Sequence, residues 1–262
     1  AQILGFKSYA ELSLTQKMAQ SVDEVHELEE ELRVPSWKAA QKEFQEITDF
    51  SYNQTKNKEL GPWDLSYWSK RLQEEKFQFT EEEIKPYFSL TLVLEGLFDL
   101  VHHLFDISIQ ERKDGMPKWH SDIRFFDIFD HTKQHIASFY LDPYSRPENK
   151  RGGAWMDVCI SRRKDIKGNL IKPVAYLVCN FTPPIGDRPS LLTFREVETI
   201  FHEFGHGLQH MLTTVDYSDV SGIEGIAWDA VELPSQFMEN WCYHRKTFFN
   251  MAKHYKTNEP MP

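Results

Sequence analysis

The chain has 262 residues, of which 40% are hydrophobic, 27% charged and 14% aromatic. That composition suits a folded protein with a substantial core and excludes a disordered or low-complexity chain. A formal net charge of −10 argues against nucleic acid as a partner, because phosphate binding needs a basic face.

The first third is predicted helical. Lys7 to Arg33 is rich in Glu, Leu, Gln and Lys, all good helix formers. Pro35 is expected to punctuate it, with Ser36 capping a second helix towards Asn53. Gln54 to Pro62 is polar and reads as a loop. Asp64 can cap a short helix carrying Trp68 and Leu72, and Thr80 with Glu83 has capping-box spacing before Pro86. Leu94, Leu97, Phe98, Val101, Leu104 and Phe105 follow one buried helix face. The stretch from Leu90 to Phe105 is broken by Glu95, Asp99, His102 and His103, so no membrane partner is expected.

The middle changes character. Ile107 to Gln110, Arg124 to Phe129 and His135 to Leu141 are short β-rich runs, and the last two flank a polar turn as in a hairpin. Pro173 to Asn180 is an apolar run that reads as a strand. Thr193 and Glu196 form a capping box for a helix running to about Leu212. A last helical segment starts near Asp229, with Pro234 at its start or at a kink. The fold class expected is mainly α with a small β-sheet beside the helix that begins at Thr193. The division expected is a helical region over 1–106 and sheet plus helices over 107–262.

That helix carries the chemistry. His202 and His206 are four residues apart, so both imidazoles project from one face and can grip one metal ion. Glu203 follows His202 and lies where a carboxylate can take a proton from a metal-activated water. The structural alternative is a solvated helix face with two histidines. A metallopeptidase also needs a third ligand, and Glu232 on the downstream helix is the candidate. Two histidines and a carboxylate leave one position of a zinc ion open, which suits catalysis better than scaffolding.

Around these ligands, Glu198 and Asp229 each lie one helical turn from a ligand and are candidates to hold a ligating imidazole. Glu239 is a weaker one. Plainer roles compete: Asp229 as a helix cap, Glu198 as a solvated acid, and His210 as a buried or surface histidine. His102, His103, His131 and His135 read as structural, and Arg151-Gly152-Gly153 as a plain turn. Cys159, Cys179 and Cys242 are few and far apart, and read as free thiols of a reducing, intracellular compartment. No charged and apolar leader precedes the first helix, so no secretory signal is expected.

The segment HEFGHGLQH, followed by WDAVELPSQFMENW from Trp228 to Trp241, resembles the thimet oligopeptidase and oligopeptidase A family of zinc peptidases. So do FYLDPYSRPENKRGGAWM (Phe139 to Met156), PVAYLVCNFTPP (Pro173 to Pro184), LTFREVETIFHEFGH (Leu192 to His206) and LGFKSYAELSL near the start. The resemblance is greatest to the oligopeptidase A-like branch of bacteria and plant organelles. It implies one Zn²⁺ per chain on His202, His206 and Glu232, with Glu203 as catalytic base. It implies a two-lobed helical enzyme around a deep channel, cutting short peptides in the cytoplasm, a mitochondrion or a plastid. It further implies that the Pro173 to Asn180 strand is an edge pairing with the peptide, through Ala175, Leu177 and Cys179. Family chains extend further on both sides, and their C-terminal part supplies tyrosine and histidine donors to the oxyanion. The expectation is therefore a central-to-catalytic segment of a longer enzyme. Its alternative is a catalytically incomplete zinc- or peptide-binding fragment. Oligomeric state is not encoded in any of these motifs.

Overall fold

The computed structural model describes residues 1–57 and 59–262. The fold is mainly α with a small sheet, and it divides into two compact units, Ala1–Glu83 and Ile84–Pro262.

The first unit is helical. Helix α1 spans Tyr9–Leu14, and its N-cap Ser8 accepts from the Glu11 N–H. Helix α2 runs unbroken over Val22–Thr55, capped by Ser21 and closed by Lys56 in the left-handed region. It passes straight through Pro35. The expected break does not occur. One missing N–H is outweighed by long runs of strong helix formers on both sides. Helix α3, Leu65–Phe77, lies against α2, with the Phe50 and Trp68 rings edge to face at 6.0 Å and Lys76 paired to Glu46 at 2.6 Å. Asp64 precedes α3 but accepts from the Gly61 N–H rather than capping the helix. Glu81–Ile84 form a short turn, α4.

The second unit begins at Ile84, so helix α5 (Leu90–Phe105) belongs with the sheet, not with the helical region ending at 106. The reason is its apolar face. Val93, Leu94, Leu97 and Val101 are buried in the same core as the sheet. Five strands follow in spatial order β1-β2-β3-β7-β4. They are β1 (Ser108–Glu111), β2 (Arg124–Phe129), β3 (His135–Tyr144), β4 (Trp155–Ile160) and β7 (Val174–Phe181). Strands β3 and β7 are parallel and the other pairs antiparallel. A two-stranded ribbon, β5 (Arg163–Lys164) with β6 (Leu170–Ile171), lies between β4 and β7 in sequence. The β2–β3 hairpin is as expected: Asp130 accepts from the Thr132 and Gln134 N–H groups, and Lys133 takes the left-handed conformation.

Helix α6 spans Phe194–Met211, α7 Leu233–Asn240 and α8 Arg245–Met251. One sheet face, with Phe126, Phe139, Leu141, Ala175, Leu177 and Cys179, packs into a core with Val197, Phe201 and Phe204 of α6. Phe139 meets Phe204 edge to face at 5.5 Å. The other face carries Phe125, Tyr140 and Tyr176.

This topology corrects one expectation. Strand β7 is not an edge, because β3 and β4 flank it and occupy both of its backbone sides. Ala175, Leu177 and Cys179 are at most 1% exposed and point into the core, out of a peptide's reach. A near-continuous apolar run marks a strand covered on both faces. The edges are β1 and β4, and on β4 exposure alternates from Trp155 to Val158. Among the described residues no helix is long and apolar enough to cross a membrane.

The intact α2 generates a prediction. Replacing Pro35 by Ala restores a helical N–H and removes the ring clash, so α2 should gain stability, up to about 3 kcal/mol. Chemical denaturation followed by far-UV circular dichroism checks this. An unchanged or lowered midpoint would mean that Pro35 fits a bend the unit requires.

Candidate metal centre

Thr193 and Glu196 start α6 with a complete capping box, each side chain meeting the other's backbone N–H at 3.2 and 2.7 Å. The cap fixes the helix register, and the apolar stripe then fixes its rotation. With Val197, Ile200, Phe201, Phe204 and Leu208 buried, His202 and His206 share one turn of a neighbouring face, their rings 4.9 Å apart and nearly perpendicular.

Glu232 comes from the turn that opens α7. Its Oε2 lies 3.3 Å from His202 Nε2 and 3.1 Å from His206 Nε2. These three residues are the group among the described residues whose donor atoms converge as a cation site. For zinc bonds of about 2.0–2.1 Å, a tetrahedron has edges of about 3.3–3.4 Å. Both contacts to Glu232 are close to that length, so the donor set fits the ion in chemistry and spacing.

The approach of α7 to α6 depends on Gly205. A Cβ there would lie 2.5 Å from the Pro234 carbonyl oxygen and 2.6 Å from Ser235 Cα. Only glycine lets the two backbones close to this distance. Pro234 sits in the first turn of α7, where its missing N–H costs nothing. Ser235 is fully buried, and its hydroxyl lies 2.8 Å from Glu232 Oε2 and 2.9 Å from the Glu232 carbonyl. Sequence reasoning missed Gly205 and Ser235. Their signal was the small residue between the two histidines and the hydroxyl three residues after the acid.

His202 Nδ1 meets Glu239 Oε1 at 2.6 Å. That bond places the Nδ1 proton towards Glu239 and leaves Nε2 with its lone pair towards Glu232. Glu239, the weaker expectation, thus holds the imidazole. Glu198 does not: its carboxylate accepts from the Tyr243 hydroxyl. One turn of α6 separates Glu198 from His202, but the side chain turns to Tyr243 in the 3-10 turn that follows α7. Asp229 lies in a single 3-10 turn, Trp228–Ala230, whose N-cap is Ala227, so it is not the cap of α7. The Nδ1 of His206 is buried without a partner, so Asp229 does not hold that imidazole either.

Glu203 is 6% exposed, on the side of α6 that faces β4. Burial pushes its carboxyl up to about 7, Glu232 adds to the shift, and His202 and the Met156 N–H oppose it. A carboxylate with that affinity can both accept and return a proton near neutrality. His210 is wholly buried one turn further on, and its Nε2–H donates to the Ile160 carbonyl at 3.0 Å. It ties α6 to the end of β4 and does not face the histidine pair. The three cysteines are free, with Cys179 and Cys242 buried.

The sequence pattern of peptidase family M3 matches residues 1–262. The chain belongs to peptidase family M3. Its similarity runs through the whole chain. It is 52% identical over 267 residues to "Organellar oligopeptidase A, chloroplastic/mitochondrial" of Arabidopsis thaliana, covering 100% of this chain and 34% of that protein. It is 51% identical to "Probable cytosolic oligopeptidase A" of the same plant and 48% to "Oligopeptidase A" of Haemophilus influenzae, covering 100% of this chain and 38% of each relative. This family M3 chain therefore spans little more than a third of the length of the curated relatives it matches.

Two predictions rest on this geometry. Gly205→Ala should push α7 away and destabilise the unit by about 2–4 kcal/mol, because the clash is with backbone that cannot rotate aside. A thermal melt within a degree of the wild type would refute the close approach. The second concerns His210. Burial holds it below its ordinary value, with the Ile160 carbonyl opposing. The folded state therefore binds its proton less readily than the unfolded chain. Its contribution to stability is complete above about pH 6.5 and is lost as pH falls towards the folded value. In metal-free protein, His210→Gln should reduce the fall in melting temperature between pH 7.5 and 5.5. An unchanged fall would assign the acid sensitivity elsewhere.

Proposed function

We infer that the chain is the metal-binding, catalytic segment of a zinc-dependent endopeptidase that hydrolyses short oligopeptides. The observation that carries this is the meeting of His202 Nε2, His206 Nε2 and Glu232 Oε2 beside a buried Glu203. Membership of family M3 and the oligopeptidase names of its relatives support the same reading.

Zinc, when bound by His202, His206 and Glu232, supplies Lewis acidity at a scissile carbonyl and makes a water acidic enough to react near neutral pH. The protein residues do the rest. Glu239 fixes the His202 tautomer so that Nε2 is the ligand atom. Glu203, buried beside the three donors, takes the proton from the attacking water and hands it to the leaving amine. The extended peptide pairs with the free edge of β4, which lies next to α6 through Met156. A peptide backbone offers the same hydrogen bonds at every residue, so this mode accepts many sequences. Three free thiols agree with a reducing, intracellular compartment.

The test combines metal and turnover. Elemental analysis should give about one zinc per chain, lost on His206→Ala. Glu203→Gln should keep the zinc while peptide hydrolysis, measured in the protein at the full length of its relatives, falls by roughly 10²–10⁴. Glu239→Gln should weaken zinc binding by about 10- to 100-fold in a chelator competition. If Glu203→Gln lost the metal instead, Glu203 would be a ligand and the roles assigned here would be wrong.

A further inference from the structure

The sheet face turned away from α6 carries a second constructed feature. A cavity of about 530 Å³ opens there, bordered by Trp155 and Asp157 of the β4 edge strand. Trp119 and Tyr176 line its wall and cluster with the Tyr140 ring behind them, with ring centroids 5.4–5.5 Å apart. At its base lies Asp142, 3% exposed.

Four donors saturate that carboxylate. Arg146 grips it with two bonds of 2.8 and 2.6 Å, Lys150 donates at 2.9 Å and the Trp119 indole at 3.1 Å. Lys150 is also fully committed, to the backbone carbonyls of Asp142, Tyr144 and Cys179. Two cations, with side chains 12% and 5% exposed, thus share one buried carboxylate. Burial pulls Lys150 below the ordinary lysine value, with Asp142 opposing and Arg146 adding to the shift. Arg151 adds a third positive charge at the rim. Its backbone is pinned, because its carbonyl accepts from Asn180. Asp157 lines the cavity as an exposed carboxylate with one oxygen on the N–H of Val158, and Asp122 acts on Arg146 through space, so both lower the positive potential without pairing with Arg146 or Lys150. Arg146 uses its two terminal nitrogens on Asp142, one N–H each, so three of its five donors remain for a ligand.

Arg146 and Lys150 against Asp142 leave one positive charge without a buried counter-ion. An unmatched buried cation is costly, and the penalty is relieved when a second anion arrives. We propose that this cavity is a carboxylate-recognition subsite, in which Arg146 and Arg151 receive an acidic side chain or the terminal carboxylate of a bound peptide. The proposal rests on the peptide pairing with β4 described above. Side chains alternate across a sheet, so a peptide added at that edge sends every second side chain to the face with Trp155 and Asp157. The subsite therefore selects among peptides without touching the metal or Glu203.

The test is equilibrium binding to the Glu203→Gln protein at the full length of its relatives, by fluorescence anisotropy, of labelled N-acetylated alanine-rich octapeptides. One set carries a single Glu at successive positions with an amidated C-terminus. A second has no Glu and a free C-terminus. A third is neutral throughout. At least one carboxylate-bearing peptide should bind about tenfold tighter than the neutral one. Which set shows the gain tells side chain from terminus. Arg151→Gln, at an exposed position, should remove most of the gain and leave neutral binding unchanged. Arg146→Gln should do the same if its melting curve remains cooperative. Neutral binding with no preference for a carboxylate, or a preference that survives Arg151→Gln, overturns the subsite while leaving the peptidase reading intact. Failure of every peptide to bind overturns both.

Discussion

The convergence of His202, His206 and Glu232 depends on the distance between two backbones. Helix α6 carries His202, Glu203 and His206, and the third member of the converging group, Glu232, comes from outside it. Glu232 reaches them because α7 closes onto Gly205, whose missing side chain is replaced by the Pro234 carbonyl and Ser235. The same contact orients Glu232 through Ser235 and brings Glu239 onto His202. One small residue between two ligands therefore sets the donor spacing, the tautomer and the packing of the last helices.

Electrostatics make the arrangement expectant of a cation. Glu203, Glu232 and Glu239 crowd around two imidazoles, and Glu203 is driven towards neutrality by burial and by Glu232. A bound dication reverses that balance, since it rewards both carboxylates and neutral histidines. The price of the crowding is borne by the surrounding core. Phe98, Phe139, Phe201 and Phe204 pack α6 against the sheet in one core cluster. The sheet in turn ends in β4, leaving one unpaired backbone edge beside the site.

Much of this was legible without coordinates. The capping box at Thr193 placed α6 within one residue, because cap chemistry is local. The four-residue spacing put His202 and His206 on one face, because helical pitch is fixed. Helix α5 and strands β2 and β3 followed from periodicity. Elsewhere local rules misled. Pro35 is a strong breaker in isolation, yet α2 continues through it. Glu198 is as near to His202 in sequence as a helical neighbour can be, yet it bonds Tyr243, while Glu239, 37 residues away, holds the imidazole.

The sequence by itself determined α5, α6, the β2–β3 hairpin and the shared face of His202 and His206, because caps, pitch and apolar periodicity act within a few residues. It also named Glu232, through family resemblance. Only the tertiary structure decided which strands are the edges. An apolar run such as Val174–Phe181 announces burial but not which neighbours provide it, and here β3 and β4 take both sides. It alone decided, too, that Arg146 and Lys150 share Asp142, and that Gly205 admits α7. Each of these is a contact between distant segments, and no local propensity specifies the partner of a contact made only when the chain has folded.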